Sequence, residues 1–453
     1  MIERVHGDGR PAGWRDEPIY LDYNATTPVD ARAAKAARPY WDRWFGNPSS
    51  AHAYGEQPRK AVALAREQVA ALIGAGADEI IFTGSGSEAD QLAIRGAVLA
   101  GLRAARGDKP RVITQVTEHP AVVACCEALE RWHGAVVTWL PVDADGLVSP
   151  EVVADVLARP ARARGPAVVS VMLGNNETGA IQPITQIAAA AHAHGALVHV
   201  DAAQAAGKID IDVTALGADL LTLVGHKMYA PKGIAALYVR AGTTLEPVIY
   251  GGGQERGLRA GTENAALIAA LGAAAELAAS DLARGAEARL TGLRDRLHTR
   301  LASSLPGRVH LNGPPERRLP TTLNISITGL RGHELLAAAG GIAASTGTAC
   351  HSGLYEPSQV LTAMGLDQNR AMAAIRLSVG RWTTEAEIDA AADHLAEAAI
   401  CLTKPARAED EPAVGGALAA PRGRGGRSRK PENETESPLH PGHACLRPGA
   451  HRP

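Results

Sequence analysis

The sequence predicts an α/β protein with a mainly parallel central sheet, followed by a smaller α+β domain. Up to about Asn264, short apolar runs alternate with longer segments of helical periodicity. Such alternation is typical of a parallel sheet covered by helices on both faces. Beyond Asn264 an Ala-rich helix leads to shorter strands and a final helix, which is typical of a separate α+β unit.

The elements follow in order along the chain. Strands of the large sheet are predicted at 79–83, 111–116, 135–140, 167–173, 196–200, 220–224 and 234–239. Helical periodicity covers, among others, 87–102, 121–132 and 184–194. Strands of the smaller domain are predicted at 308–311, 322–327 and 375–379, and its last helix starts at Thr384.

Composition divides the chain into four parts. Residues 1–17 read as a disordered arm, 18–265 as a large domain, 266–403 as a small domain and 404–453 as a disordered tail rich in Gly, Pro and Arg. The basic stretch at 421–430 would suit weak contact with nucleic acid. The whole chain has 46 Lys+Arg against 48 Asp+Glu, so no basic excess supports a nucleic-acid partner.

Targeting signals and a disulfide framework are not expected. The start of the chain lacks the apolar segment of a secretion signal, and the apolar stretch at 265–275 is too short for a membrane span. Five cysteines, Cys125, Cys126, Cys350, Cys401 and Cys445, are an odd and sparse set for disulfides. We therefore expect a cytoplasmic enzyme with reduced thiols and no membrane partner.

Polar residues cluster directly after five of the predicted strands. In open α/β sheets, ligands bind in the crevice outside the carboxyl ends of the strands, so these clusters predict one shared site. The clusters are Gly84-Ser85-Gly86-Ser87-Glu88, Thr117-Glu118-His119, Gly174-Asn175-Asn176-Glu177, Asp201-Ala202-Ala203-Gln204 and Gly225-His226-Lys227.

Three of these clusters together indicate a pyridoxal 5′-phosphate (PLP) site. The Gly-Ser segment at 84–88 precedes a helix, whose free N–H groups suit a phosphate. Asp201 ends an apolar strand, where an unpaired carboxylate is costly. Lys227 follows the neighbouring strand. PLP needs an amine for covalent attachment, a carboxylate at its pyridine nitrogen and an anion site for its phosphate.

A metal site is not expected. His192, His194 and His199 lie close in sequence, but no cysteine or carboxylate cluster completes a ligand set.

Eleven ordered motifs spread over about residues 18–400 carry a family resemblance. They are IYLDYNATTP (19–28), FGNPSSAHAYG (45–55), EIIFTGSGSEADQLAI (79–94), TEHPAV (117–122), NNETGAIQPI (175–184), HVDAAQAAGK (199–208), GHKMYAPKGIAALYVR (225–240), GGGQERGLRAGTEN (251–264), RLPTTLNIS (318–326), STGTACHSG (345–353) and IRLSVGRWTT (375–384). In this order they resemble the class V PLP enzymes of the aspartate aminotransferase-like fold, and most closely the cysteine desulfurase and selenocysteine lyase group.

The resemblance implies a role for each residue around the cofactor ring. Lys227 is the covalent attachment point, and Asp201 pairs with the pyridine nitrogen. His119 stacks on the ring and carries protons. Asn176 and Gln204 contact the 3-hydroxyl.

It also implies how the phosphate and the substrate are bound. Gly86, Ser87 and His226 hold the phosphate, and Thr262 reaches the phosphate of the partner subunit in a homodimer. Substrate contacts come from Asn24, Asn324 and Arg376, with the guanidinium forked onto the substrate carboxylate. Val224 stands where desulfurases commonly have a Ser or Thr that bonds the phosphate.

Cys350 is the nucleophile that the resemblance implies. It lies in the small-residue segment at 343–353, which reads as a mobile loop. A thiolate there would attack the substrate sulfur and keep it as a persulfide. Cys125 and Cys126 read as packing residues on a helix, and Cys401 and Cys445 as incidental.

Four functions remain open from the sequence. The first is a cysteine desulfurase that gives L-alanine and a Cys350 persulfide for an unidentified acceptor protein, in iron–sulfur cluster or thio-cofactor assembly. The second is a selenocysteine lyase, which LTLVGHKMYAPKG (221–233), Gln254 and ACHS (349–352) resemble. A class V aminotransferase would have no use for an exposed Cys350. A catalytically inactive PLP-binding partner would not need the intact set of site residues.

Overall fold

The structure, a computed structural model, describes residues 9–11, 18–104, 109–159, 167–346 and 356–403. All of them fall in one compact unit, Met1–Lys404. The tail predicted at 404–453 lies outside the described residues, as do the loop residues 347–355 and most of the arm predicted at 1–17.

The strands lie within a residue or two of their predicted positions. They are β1 (Ile19–Tyr20), β2 (Ile80–Thr83), β3 (Arg111–Gln115), β4 (Val136–Leu140), β5 (Ala167–Met172), β6 (Leu197–Asp201), β7 (Leu220–Val224), β8 (Ala235–Val239), β9 (Val309–Leu311), β10 (Thr322–Ile327), β11 (Ile342–Ala343) and β12 (Ala374–Ser378). Only β1 and β11, of two residues each, have no counterpart in the sequence prediction, because two residues show no period.

Helices separate the strands. They are α1 (Ala31–Ala37), α2 (Pro39–Asp42), α3 (Ala53–Leu72), α4 (Gly86–Ala104), α5 (Pro120–His133), α6 (Pro150–Ala158), α7 (Ile184–His192), α8 (Val213–Leu216), α9 (Ala265–Ala283), α10 (Ala286–Ser304), α11 (Gly332–Ala338), α12 (Gln359–Ala363), α13 (Gln368–Met372) and α14 (Glu385–Thr403). Short 3₁₀ turns occupy Ala77–Glu79, Gly225–Lys227 and Glu255–Gly257.

The large sheet has seven strands in the order β2-β8-β7-β6-β5-β3-β4. Only β8 runs against its neighbours, which confirms the mainly parallel sheet. Both faces of the sheet are covered. Val168 of β5 packs in the cluster on the side of α4 and α5, whereas Val169 packs in the cluster on the side of α3, α7 and α9. Central strands such as β5 are therefore buried along their whole length.

Helix α9 is long and apolar enough to cross a membrane by length and composition alone. In this fold it packs against α1 and α3. Its residues Ile268, Leu271 and Ala278 belong to the core of the large sheet. It is therefore a core helix here, although it lies beyond residue 265. The division of the chain into domains at 265 and 266 stays a prediction.

A second core surrounds the smaller antiparallel sheet, β12-β10-β9. Helices α10 and α14 pack together over this sheet. The N-terminal strand joins the same core, because β1 pairs in parallel with β11 and buries Ile19 and Leu21 there. The segment at residues 19–21 therefore lies against residues more than 300 positions later in the sequence.

Tyr23 fixes this N-terminal segment by close packing. Its ring is 1% exposed, and its centroid lies 5.0 Å from that of Tyr20 and 6.2 Å from that of Tyr229. A Cβ atom on Gly380 would lie 2.1 Å from ring carbons of Tyr23. Only a glycine fits at this position without a shift of the ring.

We predict that Gly380→Ala lowers the free energy of unfolding by about 1–3 kcal/mol, the usual cost of overpacking a core. The matched control is Gly292→Ala in α10, where nothing lies within 4 Å of the added methyl group. That change should stabilise by up to about 1 kcal/mol through helix propensity. Urea unfolding of both variants measures the difference, and equal effects would contradict the packing at Tyr23.

Candidate active site

A cavity of about 540 Å³ opens at the carboxyl ends of the parallel strands. Its wall includes ten of the residues predicted to form the site, from both ends of the chain. These are Asn24, Gly86, Ser87, His119, Asn176, Asp201, Gln204, His226, Lys227 and Arg376. The loops that follow β2, β3, β5, β6 and β7 supply most of them, which is the reason that residues far apart in sequence meet here.

Three predicted residues are not part of this wall. Thr262 is exposed in the segment before α9. Asn324 of β10 is fully buried, where its Nδ2 donates to the Glu177 carbonyl at 3.2 Å and its Oδ1 accepts from Asn312 at 2.8 Å. Cys350 lies outside the described residues.

Lys227 follows β7 in a 3₁₀ turn that aims its amine at the N-terminal segment. Its Nζ donates to the backbone carbonyls of Asn24 at 2.5 Å and Ala25 at 2.9 Å. It forms no ion pair with any carboxylate that the structure describes. Burial, assisted by the charge of Arg376, lowers the pKa of Lys227 to about 8. The amine is therefore available in its neutral form near physiological pH.

Asp201 is the last residue of β6, and its carboxylate accepts from Ala203 N at 2.9 Å. Burial raises the pKa of Asp201, while the Ala203 hydrogen bond and the nearby His119 and Lys227 oppose the rise. A buried carboxylate facing a cavity is stabilised when a cationic ring nitrogen binds beside it.

Two further buried acids and a histidine lie near Asp201. The sequence analysis placed Glu118 in a polar cluster of the site and considered His199 only as a metal ligand, and it missed Asp90. Burial and the charge of Asp201 raise the pKa of Asp90, and raise that of Glu118 to about 8. Burial lowers the pKa of His199 to about 3, and this ring bonds Ser170 at 2.8 Å and Thr222 at 3.1 Å. Asp90 lies one helical turn after Gly86, and residues at this spacing share a helix face. The predicted role of Gly86 could therefore have pointed to Asp90 as a residue of the same site.

The first turn of α4 forms the anion-binding end of the cavity, with Ser85, Gly86 and Ser87 in the wall. A Cβ atom on Gly86 would lie 2.5 Å from Cγ2 of Val224. Val224 therefore occupies the space beside this glycine, and no hydroxyl is offered from that position. Helix N-terminal N–H groups and the Ser hydroxyls remain as donors.

The same loop is tied to the segment that carries Thr262. Glu88 Oε2 accepts from Gly84 N at 2.9 Å, and Glu88 Oε1 pairs with Arg259 Nε at 2.7 Å. The ion pair holds the start of α4 and the 251–264 segment together.

Arg376 of β12 brings the second core to the cavity. Its Nη2 bonds Asp22 Oδ1 at 2.8 Å, and its Nη1 donates to the Asn176 carbonyl at 3.2 Å. Its Nε has no partner within the described part of the chain. A guanidinium that lines a cavity is suited to an incoming carboxylate.

Two histidines complete the wall in neutral form. His119 caps α5, with its Nδ1 accepting from Ala121 N at 3.2 Å, and burial and Lys227 lower its pKa. His226 contacts Thr26 Oγ1 through Nδ1 at 3.1 Å, and burial lowers its pKa to about 4.

The residues present fit PLP on the chemistry of the donor set. The cavity joins an amine without an acidic partner, a buried carboxylate and a helix N-terminus. Lys227, Asp201 and the 85–87 segment would hold its aldehyde carbon, its ring nitrogen and its phosphate. Among the described residues, no group of three or more His, Cys, Asp or Glu is placed to hold a metal ion.

The cysteines that the structure describes lie away from this cavity. Cys125 and Cys126 are buried in α5, and burial raises the pKa of Cys125 to about 12. Cys401 is exposed near the end of α14. Cys445, like Cys350, lies outside the described residues.

Comparison with known proteins shows the family of this chain. Residues 19–391 match the family described as Aminotransferase class-V. A cysteine desulfurase of Trichormus azollae is 46% identical over 373 residues, which cover 82% of this chain and 90% of the relative. Cysteine desulfurase NifS of Azotobacter vinelandii is 44% identical over 374 residues, with 82% and 90% covered.

Solved structures give the same result. A NifS-like protein superposes with a TM-score of 0.76 at 33% identity, over 84% of this chain and 99% of that one. A structure of SspA in complex with cysteine superposes with a TM-score of 0.69 at 34% identity, over 81% and 99%.

The chain therefore belongs to the aminotransferase class V family, whose members are PLP-dependent. Its fold is the PLP-dependent transferase fold, as the sequence predicted. Within that family it is an enzyme of the cysteine desulfurase group.

We predict that the acylation rate of Lys227 in the cofactor-free protein rises tenfold per pH unit and levels off above about pH 8. The reason is that only the neutral amine reacts, and burial lowers its pKa from 10.5 to about 8. Mass spectrometry of the Lys227 peptide after brief treatment with acetic anhydride measures the rate.

Arg376→Gln should move this midpoint upward, because the guanidinium charge lowers the pKa of Lys227. The Lys227→Ala protein, which lacks this amine, measures the background labelling of the same peptide. A midpoint near 10.5 in the unaltered protein would contradict the buried position of the amine.

Proposed function

We propose that this enzyme removes sulfur from L-cysteine, giving L-alanine and a persulfide on Cys350. The observation that carries the proposal is the meeting of Lys227, Asp201 and Arg376 in one cavity, in a chain whose relatives are cysteine desulfurases. The persulfide would pass to an acceptor protein, and the relatives named NifS and IscS favour iron–sulfur cluster assembly as the destination.

When bound, PLP supplies an electron sink that labilises bonds at the substrate α-carbon and activates its side chain. Asp201 favours the protonated ring nitrogen on which this sink depends, because a cation beside it relieves the cost of its burial. Lys227 is the attachment residue.

Arg376 orients the substrate through its α-carboxylate. Asp22 and the Asn176 carbonyl hold the guanidinium at the cavity wall. The complex of the related SspA with cysteine supports an amino acid of this size as substrate.

Proton transfers are assigned to Lys227 and His119. Burial lowers the pKa of both groups. The lowered pKa gives Lys227 a neutral fraction near physiological pH and favours the neutral imidazole of His119, so both groups can accept a proton from substrate.

Cys350 completes the reaction. Its thiolate attacks the γ-sulfur of cysteine, so that one S–S bond forms and the Cβ–S bond breaks. The electron pair of the broken bond stays on the carbon product, which takes up one proton net at Cβ and leaves as L-alanine. No external oxidant is needed, because L-cysteine plus a thiol equals L-alanine plus a persulfide.

A homodimer and a cytoplasmic location are part of the proposal. Thr262 is exposed and stands apart from the cavity of its own chain, which suits contact with the phosphate of a partner subunit. Exposed aromatic rings at Trp41, Phe45, Tyr54 and Tyr250 offer apolar surface for such a partner.

We predict that Cys350→Ala lowers alanine formation from L-cysteine by at least about a thousandfold, on the scale of removing a covalent nucleophile. The exposed thiol Cys401 is the matched control, and Cys401→Ala should keep full activity. Mass spectrometry after a cysteine pulse should find one added sulfur on the Cys350 peptide and none on the Cys401 peptide.

The same variants assayed with L-selenocysteine separate the alternatives. A weaker C–Se bond should make Cys350→Ala much less harmful with that substrate. Full activity of Cys350→Ala on L-cysteine would refute the persulfide step.

We predict that Lys227→Ala and Thr262→Ala subunits, each inactive or weakened alone, regain part of the activity when mixed. In half of the sites of a hybrid dimer, neither defect is present if Thr262 acts across the interface. Activity after mixing, with size determination by light scattering, tests this. A fully active monomer would rule it out.

A further inference from the structure

Lys208 is a buried amine without an assigned role. It follows the turn after β6, four residues beyond Gln204, and is 6% exposed. Its Nζ lies 2.8 Å from Gln204 Oε1 and 3.5 Å from Asn24 Oδ1. No carboxylate in the described ranges forms an ion pair with it. A buried ammonium satisfied only by neutral oxygens is unusual, because burial of a charge is costly without a counter-charge.

The contact determines how the Gln204 amide is oriented. The two ends of a glutamine amide have nearly the same shape, so its neighbours decide which end faces where. Lys208, charged or neutral, has N–H groups that donate to Oε1, and the Asn24 carbonyl can only accept, so it faces the NH₂ end of the amide. Nε2 then faces the opposite way and donates to the Asn24 carbonyl at 2.9 Å.

The orientation matters because Gln204 lines the cofactor cavity. Its NH₂ group has two hydrogens, and the Asn24 carbonyl takes one of them. The second remains for an acceptor in the cavity. An oxygen anion on a bound ring needs a donor there, and the reversed amide would offer it a carbonyl oxygen.

We propose that Lys208 is a positioning residue that holds Gln204 with its N–H groups toward the cofactor, and so favours the anionic form of the ring oxygen. The proposal rests on the proposed function of Gln204 as a contact of the 3-oxygen. Burial, with the charges of Lys227 and Arg376, lowers the pKa of Lys208 well below its usual value, yet the neutral amine still has N–H groups to donate to Oε1.

The first test is the pH dependence of the absorbance of the lysine-bound cofactor in the full-length holoenzyme. Lys208→Met, similar in length and unable to donate, should move the midpoint upward by about one pH unit, a tenfold change in proton affinity typical of losing a hydrogen bond to a charged group. Lys208→Arg retains a donor-only cation and should restore most of the shift. Lys60→Met, at an exposed lysine in α3, should leave the midpoint unchanged.

The route through Gln204 is tested by a double-mutant cycle. In a Gln204→Met background, Lys208→Met should add less than a third of the shift that it causes alone. An equal shift in both backgrounds would mean that Lys208 acts by its charge alone, and no shift in either would mean a purely structural role. Both results overturn the proposal.

A second measurement does not alter Lys208 and does not need the cofactor. Gln204→Glu keeps an acceptor for the lysine, whereas Gln204→Met does not, and both lose the donor to Asn24. The thermal unfolding temperature of the cofactor-free chain should therefore be higher for Gln204→Glu. The reverse order would overturn the contact, because a buried carboxylate without a cation is the costlier change. If the protein binds no PLP at all, the proposed function fails and this measurement alone decides the role of Lys208.

Discussion

Asn24 contacts both buried lysine amines of the site, and the geometry of the cavity depends on this residue. Its backbone carbonyl accepts from Lys227 Nζ and Gln204 Nε2, and its side-chain oxygen faces Lys208. Its Nδ2 donates to Thr322 Oγ1 at 2.8 Å, which ties it to the smaller sheet. The sequence resemblance assigned Asn24 to the substrate. In the structure its polar atoms are engaged in holding other residues, and it is 1% exposed.

Burial then sets the chemistry of Lys227, which Asn24 holds, and of Asp201. The pKa of Lys227 falls because the amine is desolvated beside Arg376, and that of Asp201 rises because the carboxylate is desolvated as well. Neither Lys227 nor Asp201 has an ion-pair partner among the residues that the structure describes, so each can interact with a bound group. The cofactor ring and phosphate fill that need with a cation for Asp201 and an anion for the start of α4.

The sequence alone predicted the strands of both sheets, because short apolar runs mark buried strands. It also predicted most of the cavity wall, because polar residues that follow parallel strands meet at one edge of the sheet. Lys208 escaped prediction, since nothing in its surroundings marks it as buried. The Arg376 pairing with Asp22 could not be seen either, because it joins residues 354 positions apart in the sequence. Asn324 as a substrate contact stays a prediction, and in the structure this residue is buried in β10 and bonds Asn312 and the Glu177 carbonyl.

The pairing of β1 with β11, and of Asn24 with Ser378, also has a consequence for biosynthesis. The chain leaves the ribosome at roughly 5–20 residues per second, so residue 24 waits roughly 20–70 s for residue 378 to be made. All strands of the large sheet are synthesised by Val239. Contacts of such long range form late. The nascent chain therefore carries Lys227 on a finished sheet while the residues that fix the Asn24 segment, whose carbonyl holds the Lys227 amine, are still to be made. The active centre is completed only after residue 378 has been synthesised.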